Sequence, residues 1–356
     1  MTKLFGQLKK AEAAENIADL RLLISKISDE LTSQNEQLIE FYISGQKIVI
    51  KTSSLQKDLQ QIIDSKTIER AKYYLKRLIN SLTEFKFSGI NDINLNRWRD
   101  YDDILTDSLW IFNKRDSSGK HTAQYWGNFI PQIPNQLLRR YTKKNEWVLD
   151  PFLGSGTTML EAQRLERNCV GIDLQKKAAD VARKLVKEER VEFNVPENVK
   201  SKILVGDSTN PAFVNKIKSS ITDKVQFIMM HPPYWDIIKF SGDKNDLSNA
   251  SSEEAFLSMF EKVLDNSLDL LEPERYFAVV IGDKYLKGDW IPLGFDLMNM
   301  IKAKGHKLKS IVVKNFEDTT AKRNTKDLWR YRAIAGGFYI FKHEYIFIFQ
   351  KSKRKK

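Results

Sequence analysis

The chain is 356 residues long, 42% hydrophobic and carries a formal net charge of +12, which suits one large domain or two smaller ones with a substantial core. No stretch approaches the roughly 18 apolar residues of a membrane span, the opening MTKLFGQLKKAEAAEN lacks a signal peptide's apolar centre, and one cysteine, Cys169, cannot form an internal disulfide. A cytoplasmic protein with no membrane partner is expected, and the basic excess, most of it beyond residue 120, favours a polyanion such as nucleic acid.

Along the chain, Ile17, Leu20, Ile24, Ile27 and Leu31 recur at three- and four-residue steps, as do Ile68, Ala71, Leu75, Leu78 and Leu82. Each set forms one helical stripe. GQKIVIKTSS interrupts the pattern between them. A long helical pair is expected from residue 1 to about 88, closed by Ser88 and Gly89, within a mainly helical region 1–119 that serves packing, homodimerisation or a grip on nucleic acid. From about 145 the pattern alternates. EWVLDPF, NCVGIDL, SKILVGD, KVQFIMM, YFAVVIG, KLKSIVVK and EYIFIFQ read as strands, most of them separated by amphipathic helices. Repeated strand–helix units predict an α/β fold with a doubly wound, mostly parallel seven-stranded sheet. Only a loop separates the last two strands, so the final one is expected to run antiparallel. The catalytic region is placed at 120–350, and the tail KSKRKK (351–356) is expected to be basic and disordered.

VLDPFLGSGTTMLEA (148–162) is a strand that turns through Gly154 and Gly156 into a helix. Glycines let backbone approach a ligand, and the free N–H groups of the helix start favour a polar or anionic partner. Asp150 ends this strand, Asp173 ends the next and Asp207 follows the third. Three strands that each end in a carboxylate describe one carboxyl-edge site for a nucleoside-containing cofactor. Thr157 and Thr158 stand where a third, close-packing glycine would fall, and no G-K-[ST] phosphate loop exists.

MMHPPYWDII (229–238) sets a histidine, two prolines and two aromatics directly after an apolar run. With D-P-F-x-G-S-G-T-T and x-P-P-Y both present, the chain resembles the S-adenosylmethionine-dependent DNA amino-methyltransferases, which act on adenine N6 or cytosine N4, over roughly residues 120 to 350. The resemblance implies a Rossmann-like methyltransferase fold and S-adenosylmethionine as cofactor. It places Asp150, Phe152, Gly154 and Gly156 on the methionine side, Asp173 at the ribose and Asp207 near the adenine ring. WGNFIPQIPNQLLRRY (126–141) resembles the family's segment that closes over the methionine end, with Phe129, Pro131 and Pro134 as candidates. Two departures stand out. The tetrapeptide opens with His231 where the family usually has Asp, Asn or Ser, and only 236–252 and 315–343 look like recognition insertions.

An exocyclic base amine is a weak nucleophile because its lone pair is delocalised into the ring. Acceptors aimed at its N–H groups favour a pyramidal nitrogen. Pro232 and Pro233 fix φ and supply carbonyls without competing donors, and Tyr234 offers a face for a base extruded from the duplex. Trp235 is expected to wall the same pocket. His231 can accept only when neutral, so an ordinary pKa predicts a loss of activity near pH 6.5. Cys169 lies inside a strand pattern and reads as a buried apolar residue, not the nucleophile of carbon-5 methylation. The four histidines are scattered, and no metal is expected.

Lys322, Arg323, Lys326, Arg330 and Arg332 are interleaved with Trp329, Tyr331, Phe338 and Tyr339, a mixture suited to phosphate contact and stacking. The segments 239–254 and 282–290 are expected near the target base. The readings that remain open are a DNA methyltransferase that flips its target base, the same chemistry on RNA or a protein amide, and a nucleic-acid binder that has lost catalysis. A nicotinamide dehydrogenase gives Pro-Pro-Tyr no role. Tyr-Trp after Pro-Pro resembles the cytosine-N4 members, while His in first place matches neither usual pattern. No nuclease motif is evident, so modification is the default role, with any restriction nuclease a separate partner.

Overall fold

The computed structural model describes residues 2–33, 38–43, 46–121, 127–221, 224–286, 288–316 and 326–353. The chain divides into two compact units, Met1–Ile104 and Leu105–Lys356.

The first unit holds α1 (Thr2–Glu12), α2 (Ile17–Ser33), a hairpin of β1 (Leu38–Ile43) and β2 (Gln46–Lys51), then α3 (Thr52–Ile63) and α4 (Ile68–Thr83). Both predicted stripes are helices, and Leu20, Ile24, Ile27, Leu75 and Leu78 are buried in this unit's own core. The expected helical pair is thus four helices and a hairpin. The break at GQKIVIK is a strand because Ile48, Val49 and Ile50 are β-branched. Beyond it, Leu55, Leu59 and Ile62 form a further buried stripe on α3. Helix α4 starts where the Thr67 hydroxyl accepts from the Arg70 N–H (3.3 Å), and it ends at Thr83, before Ser88 and Gly89.

The second unit runs β3 (Leu109–Trp110), α5 (Gln132–Tyr141), β4 (Trp147–Asp150), α6 (Thr157–Arg164), β5 (Asn168–Asp173), α7 (Lys176–Glu192), β6 (Ser201–Val205), α8 (Ala212–Lys218), β7 (Val225–Met230) and α9 (Glu253–Leu268). It continues through β8 (Leu271–Ile281), β9 (Lys284–Leu286), β10 (Asp289–Ile291), α10 (Leu293–Ala303), β11 (Lys307–Asn315), α11 (Lys326–Gly336) and β12 (His343–Gln350). Its sheet has eight strands in the order β3-β11-β12-β8-β7-β4-β5-β6. Only β12 runs against the others.

The seven predicted strands are all present, and the eighth is the two-residue edge strand β3. It also explains why the unit begins at Leu105 and not at 120. Strand β3 pairs with β11, the Leu105 N–H donates to Gln136 Oε1 (2.7 Å), and the Phe112 N–H donates to Asn315 Oδ1 (2.9 Å). Every residue of β7 is buried, as befits a central strand covered on both faces. Lys351, expected in a disordered tail, is fixed instead, with its ammonium donating to the carbonyl of Leu271 (2.6 Å). Among the described residues no helix is long and apolar enough to cross a membrane.

This topology gathers one edge. β4, β5, β6, β7 and β8 all end there, and antiparallel β12 begins there. His231, which follows β7, therefore emerges at the edge where β12 brings in Glu344 and β11 brings in Lys314.

Candidate active site

At that edge a cavity opens. On one side it is lined by Phe152, Gly154, Asp173 and Asp207; on the other, by Phe129, His231, Pro232 and Pro233.

The first side is shaped by main-chain bonds. Gly154 (φ +54°) and Gly156 (φ +91°) take left-handed conformations that a side chain would strain. A Cβ on Gly156 would sit 3.3 Å from the Ala182 Cβ of α7, so this residue fills the close-packing role that the two threonines left open. Asp173 accepts from the Gly154 N–H (2.9 Å) through Oδ2 and from the Gln175 N–H (2.8 Å) through Oδ1. It thereby ties the glycine turn to the start of α7, and each oxygen keeps a further lone pair. Asp207 accepts from the Thr209 N–H (2.8 Å) and hydroxyl (2.7 Å). The Ser208 hydroxyl donates to the Pro151 carbonyl (2.9 Å), joining the loops after β4 and β6.

Asp150 and Gly156 lie behind this wall, not on it. Asp150 is buried and accepts from the Phe152 N–H (2.9 Å), so it shapes the turn from below. Burial raises Asp150 to about 6 and Asp173 likewise to about 6. Asp173, on the wall, is thus poised to gain from a cation or from donated hydrogen bonds.

The second side is held by side chains. The Phe129 ring meets the His231 imidazole edge-on, with centroids 4.7 Å apart. Tyr234 does not line the cavity. Its hydroxyl donates to Glu344 Oε2 (2.7 Å) and lies 3.3 Å from His231 Nε2. Its ring lies over Gly282, where a Cβ would come within 2.9 Å of it, so the glycine gives the tyrosine its place. Trp235 is buried in the core, donates to the Ala250 carbonyl (2.8 Å) and has the Lys284 ammonium 3.8 Å above its ring. Neither aromatic therefore stands free in the cavity as a stacking platform in this conformation.

Burial lowers His231 to about 4, with Glu344 opposing the shift and Lys314 reinforcing it. Uptake of a second ring proton is thus moved well below the ordinary pH 6.5.

Pro131 is the residue before α5 and Pro134 is buried in its first turn; neither lines the cavity. Helix α5 is fixed to α6 by Glu161, which accepts from Asn135 Nδ2 (2.8 Å) and lies 2.6 Å from His121 Nε2. Nothing in the sequence pattern gave a sign of that buried contact. Nor did the pattern point to Asp246, a buried wall residue that accepts from Ser248 N–H (2.9 Å) and Ser241 (2.7 Å). Segment 239–254 reaches the cavity through Phe240, Asn245, Asp246 and Leu247, whereas 282–290 does not line it. There Asp283 is buried and accepts from Trp290 Nε1 (3.0 Å) and the Gly294 N–H (3.0 Å).

The sequence profile of the family described as DNA methylase, the N6/N4 methyltransferases, matches residues 18–184 and 225–356. The chain belongs to this family. Among curated relatives it is similar to the type II methyltransferase M2.DpnII of Streptococcus pneumoniae, at 36% identity over 27% of this chain and 34% of that protein. It is also similar to M2.LlaDCHI of Lactococcus lactis subsp. cremoris, at 41% over 18% of this chain and 26% of that one. The matches thus span about a third or less of these relatives' length. The solved structure of TrmN from Thermus thermophilus overlaps with a TM-score of 0.41 at 18% identity, covering 64% of this chain and 50% of that one.

In this DNA methylase family member, Trp329, Arg330 and Arg332 do not line the cavity. Lys322, Arg323 and the Lys326 side chain fall outside the described residues. On α11, Arg330 and Arg332 are exposed, Trp329 is half-buried, and the Arg332 guanidinium lies 5.4 Å over the Trp329 ring. Phe338 is packed, stacking on Tyr285 of β9 at 4.2 Å, whereas Tyr339 is 87% exposed.

Proposed function

We propose that the protein transfers a methyl group from S-adenosylmethionine to the exocyclic amine of a flipped base in DNA, adenine N6 or cytosine N4. The observation that carries this reading is the shared cavity. The glycine turn with Asp173 and Asp207 lines one side, and His231, Pro232 and Pro233 line the other.

The cavity suits that cofactor. Its carboxylates match ribose hydroxyls and a cationic amino acid, beside apolar Phe152 and Val263. When bound, S-adenosylmethionine supplies a methyl on a sulfonium. Asp173 offers its remaining lone pairs to the ribose, Asp207 and Ser208 border the adenine, and Gly154 and Phe152 border the methionine arm. Burial behind the turn lets Asp150 hold that arm's loop in shape.

Across the cavity, His231 and a carbonyl of the Pro232–Pro233 pair accept from the two N–H groups of the target amine. That direction of hydrogen bonding draws the nitrogen lone pair out of the base ring and toward the methyl. Fixed proline geometry supplies the orientation before reaction. The exposed arginines of α11 are assigned to the DNA backbone. Type II modification of DNA is the setting that the relatives' names support.

Nucleoside mass spectrometry tests the reading. Protein and labelled S-adenosylmethionine are incubated with unmodified DNA and, separately, with RNA, and the products are digested. N6-methyladenine or N4-methylcytosine from DNA is the expected result. Label in RNA alone overturns the substrate, and cofactor binding without transfer to either overturns the enzyme.

A further inference from the structure

We infer that Lys314, Glu344 and Tyr234 form a buried positioning relay that holds His231 as its Nε2–H tautomer, leaving Nδ1 as the acceptor for the target amine. The inference rests on the proposed function and deepens it.

The relay begins on the last two strands. Lys314 of β11 and Glu344 of β12 are directly paired in register. Their side chains form an ion pair of 3.1 Å and are 7% and 5% exposed. A buried carboxylate held charged by a buried ammonium can only accept hydrogen bonds. The Tyr234 hydroxyl proton therefore goes to Glu344 Oε2, at 2.7 Å. That leaves the tyrosine oxygen as an acceptor, and the ring nitrogen facing it at 3.3 Å, Nε2 of His231, must be the donor. A neutral imidazole has one ring proton. Nδ1 is left with its lone pair, and it has no hydrogen-bond partner among the described residues on a ring that lines the cavity.

The charges around the ring agree with a neutral state. Glu344 on β12 favours a second ring proton, Lys314 on β11 disfavours it, and burial outweighs both. Phe129 fixes the ring plane edge-on. Gly282 at the end of β8 makes room for the tyrosine that connects the relay.

The relay answers a need peculiar to this tetrapeptide. Asp, Asn or Ser in first place brings an acceptor oxygen whatever surrounds it. Imidazole carries one donor and one acceptor, and the wrong tautomer would set Nδ1–H against the amine's own N–H. Outer partners that select a tautomer are how histidine is made a dependable ligand at metal centres. Here the same logic serves a hydrogen bond.

Two measurements test it. Nitrogen NMR of ¹⁵N-histidine-labelled protein, with the His231 signals assigned by their loss in His231→Asn, reads the tautomer directly at pH 7. Neutral Nε2–H is expected; Nδ1–H or a cation overturns the proposal. Lys314→Met combined with Glu344→Leu removes the acceptor while keeping the pocket apolar. The tyrosine proton is then free to turn to Nε2, and the ring is expected to shift toward Nδ1–H. An unchanged tautomer overturns the proposal.

The second measurement is a methyl-transfer cycle. Tyr234→Phe is expected to lower kcat about ten- to a hundredfold, the range seen when outer partners of a ligating histidine are lost, with cofactor affinity unchanged. In the His231→Asn background, where no tautomer has to be chosen, the same change is expected to have little further effect. Equal losses in both backgrounds mean a merely structural tyrosine and overturn the relay. Absence of methyl transfer by the unaltered protein on any DNA overturns the proposed function instead, and the NMR result still decides the tautomer.

Discussion

The loops after β4, β5 and β6 hold their shape through bonds from carboxylates to nearby main-chain N–H groups, such as Asp150 to Phe152 and Asp173 to Gln175. The tetrapeptide after β7 is held by a tyrosine that reaches a glutamate 110 residues further along the chain. One half of the cavity is therefore shaped by bonds within and between adjacent strand-end loops, and the other by strands from the far end of the chain. Changes on one side should leave the other intact, and that separation can be tested.

The largest effect is expected at His231. His231→Leu removes the acceptor and should lower kcat by about two to three orders of magnitude, the range for losing one preorganised hydrogen-bonding group. S-adenosylmethionine affinity should stay within about threefold, since this ring touches none of the glycine turn's main-chain bonds. Rapid-quench single-turnover methylation and calorimetric cofactor titration check the two halves separately. A large loss of cofactor affinity would break the comparison, because it would show the halves to be one cooperative unit.

The same contrast explains what could be read from the sequence. The glycine turn, the strand-end carboxylates and Pro-Pro-Tyr were legible because their chemistry lies within a few residues. The antiparallel last strand was anticipated for a reason that fails: residues 316–342, read as a loop, carry helix α11, and β12 runs antiparallel because it inserts between β11 and β8. Tyr234 and Trp235 were expected at the pocket and neither lines the cavity, because an aromatic's burial depends on what the sheet places beside it. Glu344 and Lys314 gave no signal at all. They look like two surface charges until β11 and β12 pair and bury them. The hairpin of β1 and β2 was missed because three β-branched residues between helical stripes read equally well as a break.

On the cofactor side, Asp173→Ala takes an acceptor from two main-chain N–H groups. Cofactor affinity should fall about ten- to a hundredfold, in line with one or two hydrogen bonds to a charged group. At saturating cofactor, kcat should change far less. A kcat loss that persists at saturation would show that the glycine turn also positions the methyl relative to the amine.

Acid sharpens the contrast without mutation. Asp173 has its folded pKa raised above the ordinary value to about 6, so below pH 6 it takes up a proton and loses its attraction for a bound cation. Cofactor affinity should weaken up to about fivefold between pH 6 and pH 5. His231 has its folded pKa lowered to about 4, so its neutral form persists and kcat at saturating cofactor should stay level from pH 8 to about pH 5. The His231 contribution to fold stability is complete above pH 6.5 and is lost as pH falls toward 4, because the unfolded ring takes its proton first. A kcat midpoint near 6.5 would mean that the ring is not buried in the working enzyme.

The smallest effect is expected outside the cavity altogether. Arg330 and Arg332 are exposed on α11 and line neither side of it. Their role, if it is phosphate contact, is electrostatic and indifferent to sequence. Arg330→Ala and Arg332→Ala should each weaken DNA binding severalfold and reduce the slope of log affinity against log salt by about 1. S-adenosylmethionine affinity and single-turnover methylation at saturating DNA should not move. Arg332 adds a second consideration, because its guanidinium covers Trp329 and its loss also uncovers that ring. Arg332→Lys keeps the charge but not the planar cover. If Arg332→Lys restores the salt slope but not the affinity, Trp329 under its arginine contributes contact with the DNA beyond charge. If both return, α11 serves the reaction only as a cation.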